Sequence, residues 1–228
     1  MIVQGVTLVG DRVVDASIIT QNLVIWLDAN NPSSYSGTGT TVNDLSGNGY
    51  THSLNSAGIY TVLNGIKCFD CSTTGQVTVN GTGPTLPTTG FTYICWGRLL
   101  NSTAGYRTLW RTTPDDHPLL IEQGSDRLGM WDNNGVGFWY SGYNVTGLAD
   151  TWVQYAITGT NSAQTFYVNG QQVGTTANGT AGNRHNEWGS TGGGQPFGYV
   201  ANMFFYTNIL SQEQIKQNYY GLKTRFGV

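Results

Sequence analysis

An all-β sandwich is the fold class this sequence predicts, on three observations. Glycine numbers 32 among 228 residues, about twice the usual share. It punctuates short apolar segments, which is how a meandering β fold reads. Asn169-Gly170 lies between two apolar runs, and a two-residue type I′ hairpin needs φ > 0 at both central positions. One segment near the C-terminus, residues 211–222, carries a helical pattern.

The elements follow in order. Residues 1–22 hold Val6, Leu8, Val13-Val14 and Ile18-Ile19, broken by Gly10 and Asp11; they read as an N-terminal arm or an extra hairpin. The sandwich is placed at 23–228. It opens on Leu23-Val24-Ile25-Trp26-Leu27, a continuous apolar run expected of a strand buried on both faces. Residues 28–49 are turn-forming, with Asn-Asn-Pro at 30–32 and Gly-rich turns at 36–39 and 46–49. Residues 66–70 make a short strand. Residues 91–100 set Phe91, Tyr93 and Cys95 against Ile94 and Trp96, so both faces are apolar and a central strand is predicted. Residues 152–158 form another strand. In the helix, Ser211 suits the N-cap and Gln214 completes a capping box. Leu210 and Ile215 form a staple, and Ile215, Tyr219 and Leu222 form the buried stripe.

Composition excludes several function classes. Hydrophobic residues are 39% and charged residues only 10%, against roughly 25% charged in an average soluble domain. The formal net charge is −3 and the ten basic residues are scattered. No basic stripe exists to neutralise phosphates, so no nucleic-acid partner is expected. No apolar run approaches the roughly 18 residues of a membrane span, and no membrane partner is expected. Met1-Ile2-Val3-Gln4 lacks the features of a secretory signal. With three cysteines, Cys68, Cys71 and Cys95, a disulfide framework is not expected. Cys68 and Cys71 are three apart, which sends their side chains to opposite faces of a strand; both read as buried small hydrophobes. The sequons at Asn80, Asn101, Asn144 and Asn178 are expected to stay bare.

Several segments resemble the concanavalin A-like, laminin-G-like jelly-roll family. They are Leu27-Asp28-Ala29, the turn at 34–39, Asp44-Leu45-Ser46-Gly47-Asn48-Gly49 and Phe69-Asp70, where Cys71 replaces the family's glycine. Further along come the strand from Phe91 to Trp96, then Trp152 ahead of Tyr167-Val168-Asn169-Gly170, and a closing stretch over 203–228. The Ser-Tyr-rich first turn and the ending Arg225-Phe226-Gly227 are similar to domains common in tailed-phage structural proteins. The resemblance implies a jelly-roll β-sandwich of two antiparallel sheets with one short C-terminal helix. That fold is shared by lectins, glycanases and assembly modules alike, so it does not choose among them.

Each candidate chemistry meets a plainer alternative. Glycoside hydrolysis needs two carboxylates flanking one bond; Glu122, Glu187 and Glu213 form no such pattern, and Asp115-Asp116 and Asp126 read as turn formers. His52, His117 and His185 are dispersed, with His117 read as a solvated loop residue, so no catalytic residue is expected. Asp28, Asp44 and Asn48 are weighed as calcium ligands, with turn-making as the ordinary job; no metal or cofactor is expected. Sugar rings stack on aromatic faces while amides and hydroxyls orient them. The aromatic segment 131–143 therefore supplies the candidate ligand-binding residues Trp131, Asn133, Trp139, Tyr140 and Tyr143, joined by Trp188, which precedes a glycine run. Core packing competes for the same aromatics.

The expected function is that of a non-catalytic virion structural or decoration protein of the capsid, neck or tail fibre, with a lectin-like fold. Its expected partners are other virion proteins, a host-surface glycan and further copies of itself as a homo-oligomer. The alternative is a glycan-binding lectin module of a cell-surface adhesin.

Overall fold

Alternation of apolar side chains along the strands builds two facing sheets, and a computed structural model describes residues 6–9, 12–15, 18–133, 137–160, 162–189 and 194–228. β1 (Val6–Val9) and β2 (Arg12–Asp15) pair as an antiparallel hairpin of their own. β3 (Leu23–Asp28), β4 (Thr41–Val42), β5 (His52–Leu54), β6 (Tyr60–Leu63), β7 (Ile66–Cys71) and β8 (Val77–Val79) follow. Next come β9 (Phe91–Leu99), β10 (Arg107–Thr113), β11 (His117–Ile121), β12 (Arg127–Asp132) and β13 (Gly137–Asn144). β14 (Trp152–Thr160), β15 (Ala163–Val168), β16 (Gln171–Thr176), β17 (Arg184–Trp188) and β18 (Gly198–Tyr206) complete the strands, and α1 (Gln212–Leu222) closes the fold.

The first sheet runs β16-β15-β14-β9-β18-β7-β6, with β3 also paired to β18; the second runs β13-β12-β11-β10-β17-β8-β5-β4. The two are antiparallel throughout, as the resemblance implies. Tyr93, Cys95, Ile157, Phe166, Met203 and Phe205 of the first sheet meet Leu109, Trp110, Ile121, Leu128, Met130 and Trp188 of the second in one core. Other side chains of the first sheet, Ile94, Trp96, Ala156 and Phe204, pack in a separate layer under α1 with Ile215, Leu222 and Phe226. This explains the two-faced apolar pattern of β9, which is buried over nearly its whole length.

Local signals translate directly. Asn169 and Gly170 take φ of 50° and 76°, and Val168 pairs with Gln171 around them. A Cβ at Gly170 would also lie 3.0 Å from Lys216 Cγ on α1. Ser211 and Gln214 form the reciprocal capping box. Ile215 and Leu222 are buried as expected, with Tyr219 half-buried beside them. The helix also buries Asn218, which the stripe did not include: its Oδ1 accepts from Ile19 N at 2.8 Å and its Nδ2 donates to Tyr206 Oη at 2.9 Å. Ile18 and Ile19 thereby pack on the body of the domain, ahead of the expected start at residue 23. Cys68 lies in the layer under the helix and Cys71 in the inter-sheet core, both as free thiols.

The histidines correct the sequence reading. His117 lies in β11, buried, because the chain re-enters the sheet directly after Asp116. His52 and His185 are not dispersed: β5 and β17 both flank β8, and their rings sit 5.5 Å apart in the core. Asp116 is fully buried and accepts from Asn133 N at 2.8 Å. No helix among the described residues is long and apolar enough to cross a membrane.

Candidate functional site

The outer face of the second sheet carries a cleft of about 360 Å³. Two bulges prepare it, one between Thr108 and Trp110 of β10 and one between His117 and Leu120 of β11. A bulge bends its strand and re-aims the side chains beside it. Here the register sets His117 opposite Trp131.

Trp131 and Tyr106 form the aromatic wall, their ring centroids 5.4 Å apart at 70°. Alternation along β12 sends Leu128 and Met130 into the core and leaves Trp131 half-buried on the outside. The Trp131 indole donates to Asn133 Oδ1 at 2.8 Å. Asn133 is held in turn by the Asp116 carboxylate, which accepts from its backbone N–H, and by the Asp115 carbonyl, which accepts from its side-chain amide. The amide is therefore fixed in place before any ligand arrives.

The floor is polar. Thr108 donates to Gln195 Oε1 at 2.6 Å, and its oxygen lies 3.1 Å from His117 Nδ1. With the hydroxyl proton given to Gln195, Nδ1 carries the ring proton and Nε2 is the acceptor. Burial first, and the nearby Arg111 charge second, push the His117 pKa down to about 4. Arg111 completes the lining: its Nη2 is bound to Asp115 and its Nη1 lies 3.7 Å from Glu187 on the neighbouring strand.

Of the six candidate residues, the cleft unites Trp131 and Asn133. Tyr140 shares the sheet's outer face with Phe138, but the Arg127 guanidinium sits 4.4 Å from the centre of its ring and 5.7 Å from that of Phe138. Gly129 makes room for Phe138, since a Cβ there would lie 2.7 Å from the phenyl ring. Trp139 and Tyr143 pack against the inter-sheet core. Trp188 requires a correction as a ligand-binding residue. It ends β17 facing inward, fully buried, opposite Trp110 and beside the rings of His185 and His52. Sequence reasoning did not place Tyr106, Arg111, Asp115, His117 and Gln195 in the site; four come from residues 106–117 and one from 195, away from the aromatic segment 131–143.

The residues weighed for calcium serve the chain itself. Both oxygens of Asp28 accept from Arg225 Nη1 at 2.8 Å. Asp44 Oδ1 accepts from the backbone of Trp26 and Ser46, and Asn48 donates to the Leu23 carbonyl. Among the described residues, no three His, Cys, Asp or Glu side chains group as metal ligands.

Comparison with known proteins gives a family match over residues 71–216, to a domain model described as concanavalin A-like lectin/glucanases superfamily. No curated protein sequence matches. Among solved structures, Trypanosoma rangeli sialidase in complex with sialic acid is similar over 97% of this chain and 36% of its own, with a TM-score of 0.68 and 14% identity. The binding domain of Paraclostridial Mosquitocidal Protein 1 is similar over 88% of this chain and 52% of its own, at 0.60 and 15%. The botulinum neurotoxin serotype D ligand binding domain, in complex with N-acetylneuraminic acid, is similar over 89% and 52%, at 0.61 and 14%. This chain spans about a third of the length of the sialidase, and identities this low establish the shared fold alone.

Proposed function

Since the chain belongs to the concanavalin A-like lectin/glucanases superfamily, we propose that it is a non-catalytic glycan-binding module whose ligand occupies the cleft beside Trp131. One observation carries this reading: an aromatic wall of Trp131 and Tyr106 stands over fixed amide and imidazole groups. A sugar's apolar face stacks on such a wall while its hydroxyls take the polar groups. The sialidase and the toxin domain crystallised with sialic acid lend the reading support from fold. A binding role is favoured over catalysis because Asp115 and Glu187 are both engaged with Arg111, while Asp116, whose pKa burial pushes up, is fully buried and bonded to Asn133 N rather than facing the cleft. A glycosidase needs one carboxyl held protonated and directed at the leaving oxygen.

The setting proposed for this module is a virion surface. The resemblance of the 34–39 turn and of Arg225-Phe226-Gly227 to tailed-phage domains supports it, and Arg225 binds the Asp28 that begins that turn region.

The test is a glycan array with the full chain, the Trp131→Ala and Tyr106→Ala variants, and a hydrolysis assay on each glycan bound. Binding without turnover, lost in Trp131→Ala, is the expected result. An empty array, binding indifferent to Trp131, or hydrolysis of a bound glycan would overturn the reading.

A further inference from the structure

The cation of the cleft is already engaged by carboxylates. Arg111 is the one cation among the described residues lining it. Its guanidinium is bound to the exposed Asp115 on one side and faces Glu187 on the other. His117 is neutral near pH 7, as its lowered pKa requires. Tyr106, Leu120, Trp131, Asn133 and Gln195 supply no charge. Residues 134–136 and 190–193, next in sequence to cleft residues, read Asn-Gly-Val and Ser-Thr-Gly-Gly and contain no charged side chain. Arg111 thus stands as one positive charge against the two carboxylates paired with it, and the buried Asp116 carboxyl group is bonded to Asn133 N besides.

Resting on the glycan-binding reading above, we propose that the cleft selects uncharged glycans and discriminates against sialylated or sulfated ones. A ligand carboxylate or sulfate that approaches Arg111 faces Asp115 and Glu187 as like charges, and one that takes the Nη2 position must displace Asp115. Specificity of this kind comes from repulsion as much as from attraction. Hydroxyl groups meet no such obstacle: the Asn133 and Gln195 amides, the Asp115 carboxylate and His117 offer donors and acceptors at the cleft. The inference separates this cleft from sites that hold sialic acid, such as the toxin domain of the same fold.

The experiment compares matched pairs, each sialylated glycan beside its desialylated counterpart, using the full chain at neutral pH. The desialylated member should bind about tenfold tighter or more, a difference of about 1.4 kcal/mol. Asp115→Asn, checked for folding by circular dichroism, should narrow the preference, because Arg111 then has one carboxylate fewer. Added salt should narrow it too in the native chain, since exposed charges are screened. Sialylated members bound as tightly as their partners would overturn the charge argument while leaving glycan binding intact. An array with no bound member at all would overturn the glycan-binding reading itself, and this inference with it.

Discussion

Arg225 Nη1 lies 2.8 Å from each carboxylate oxygen of Asp28, joining residues 197 apart in sequence. Asp28 ends β3, and its side chain is 5% exposed against 28% for the arginine. The same carboxylate accepts from Asn30 N, while Asp28 N donates to Ser34 Oγ. One residue after Arg225, Phe226 stacks on Trp96 with centroids 4.2 Å apart and 6° between planes. The C-terminal tail is thus tied to β3 by charge and to β9 by ring packing.

Arg225→Ala leaves a buried carboxylate with one backbone donor. Losing one partner of a buried pair costs about 3–5 kcal/mol, and the arginine's partial exposure reduces this to about 2. Urea unfolding should report that loss. Adding Asp28→Asn to Arg225→Ala should restore part of it, because the stranded charge is removed. A double variant no more stable than Arg225→Ala would show that tail packing, not the ion pair, accounts for the effect.

Gly170→Val should destabilise by more than about 1 kcal/mol, for two separable reasons. A β-branched residue resists φ of 76°, and its Cβ would press on Lys216 of α1. Asn169→Gly keeps the turn's positive φ but removes the Oδ1 that accepts from Gln154 N at 2.9 Å, so it should lose about 1 kcal/mol for that hydrogen bond and no more. Equal melting temperatures for Gly170→Val and the native chain would contradict the turn geometry.

What was legible in the sequence follows from the range over which each signal acts. The hairpin, the capping box and the two apolar faces of β9 are set by residues within ten positions of each other. Trp131 was named only as one of an undivided aromatic set, and the structure separates it by turning Leu128 and Met130 of β12 inward. On β13 the run Phe138-Trp139-Tyr140 is aromatic on both faces, so alternation could not say that Trp139 points inward and its neighbours outward. Trp188 misled for a related reason: the glycines after it suggested a loop, whereas it closes a strand paired to Trp110. The cleft gathers Tyr106, Arg111, Trp131 and Gln195 through two bulges and the sheet order, none of which is written in local spacing.

The core histidines set a pH dependence. Burial pushes the His52 pKa down to about 3, and that of His185 well below its usual value with a smaller contribution from His52; His117 falls to about 4. An unfolded histidine titrates near 6.5. Above that pH both states are neutral at these positions and stability is at its full value. Between about 6.5 and 4 the unfolded chain binds protons that the folded chain refuses, so stability falls as pH falls. Each histidine adds a slope approaching about 1.4 kcal/mol per pH unit. Urea midpoints measured from pH 7.5 to 4.5 should drop steeply, and the His52→Leu/His185→Leu pair should flatten the curve. A profile flat through this window in the native chain would mean that these rings are hydrated or hydrogen-bonded in the fold.

Ile18 and Ile19 anchor the N-terminal segment to the body of the domain. Ile19 N donates to Asn218, the Ile19 carbonyl accepts from Tyr206 Oη, and Ile18 and Ile19 pack on the layer under α1. Removing residues 1–17 leaves all of these interactions in place. Removing residues 1–20 takes the donor from the Asn218 side-chain oxygen and the acceptor from the Tyr206 hydroxyl proton, leaving Oη only its bond from Asn218 Nδ2, and uncovers apolar surface, each lost partner costing about 1–3 kcal/mol. The shorter deletion should therefore melt close to the full chain and the longer one several degrees lower. The same two chains test whether the N-terminal segment is an arm that holds the protein on the virion surface proposed above. If residues 1–17 are the arm, their deletion should keep a cooperative melt and lose recovery on purified particles. Unchanged recovery would leave residues 1–17 without a docking role, and a melt lowered as far by the shorter deletion as by the longer would place the fold's boundary ahead of residue 18.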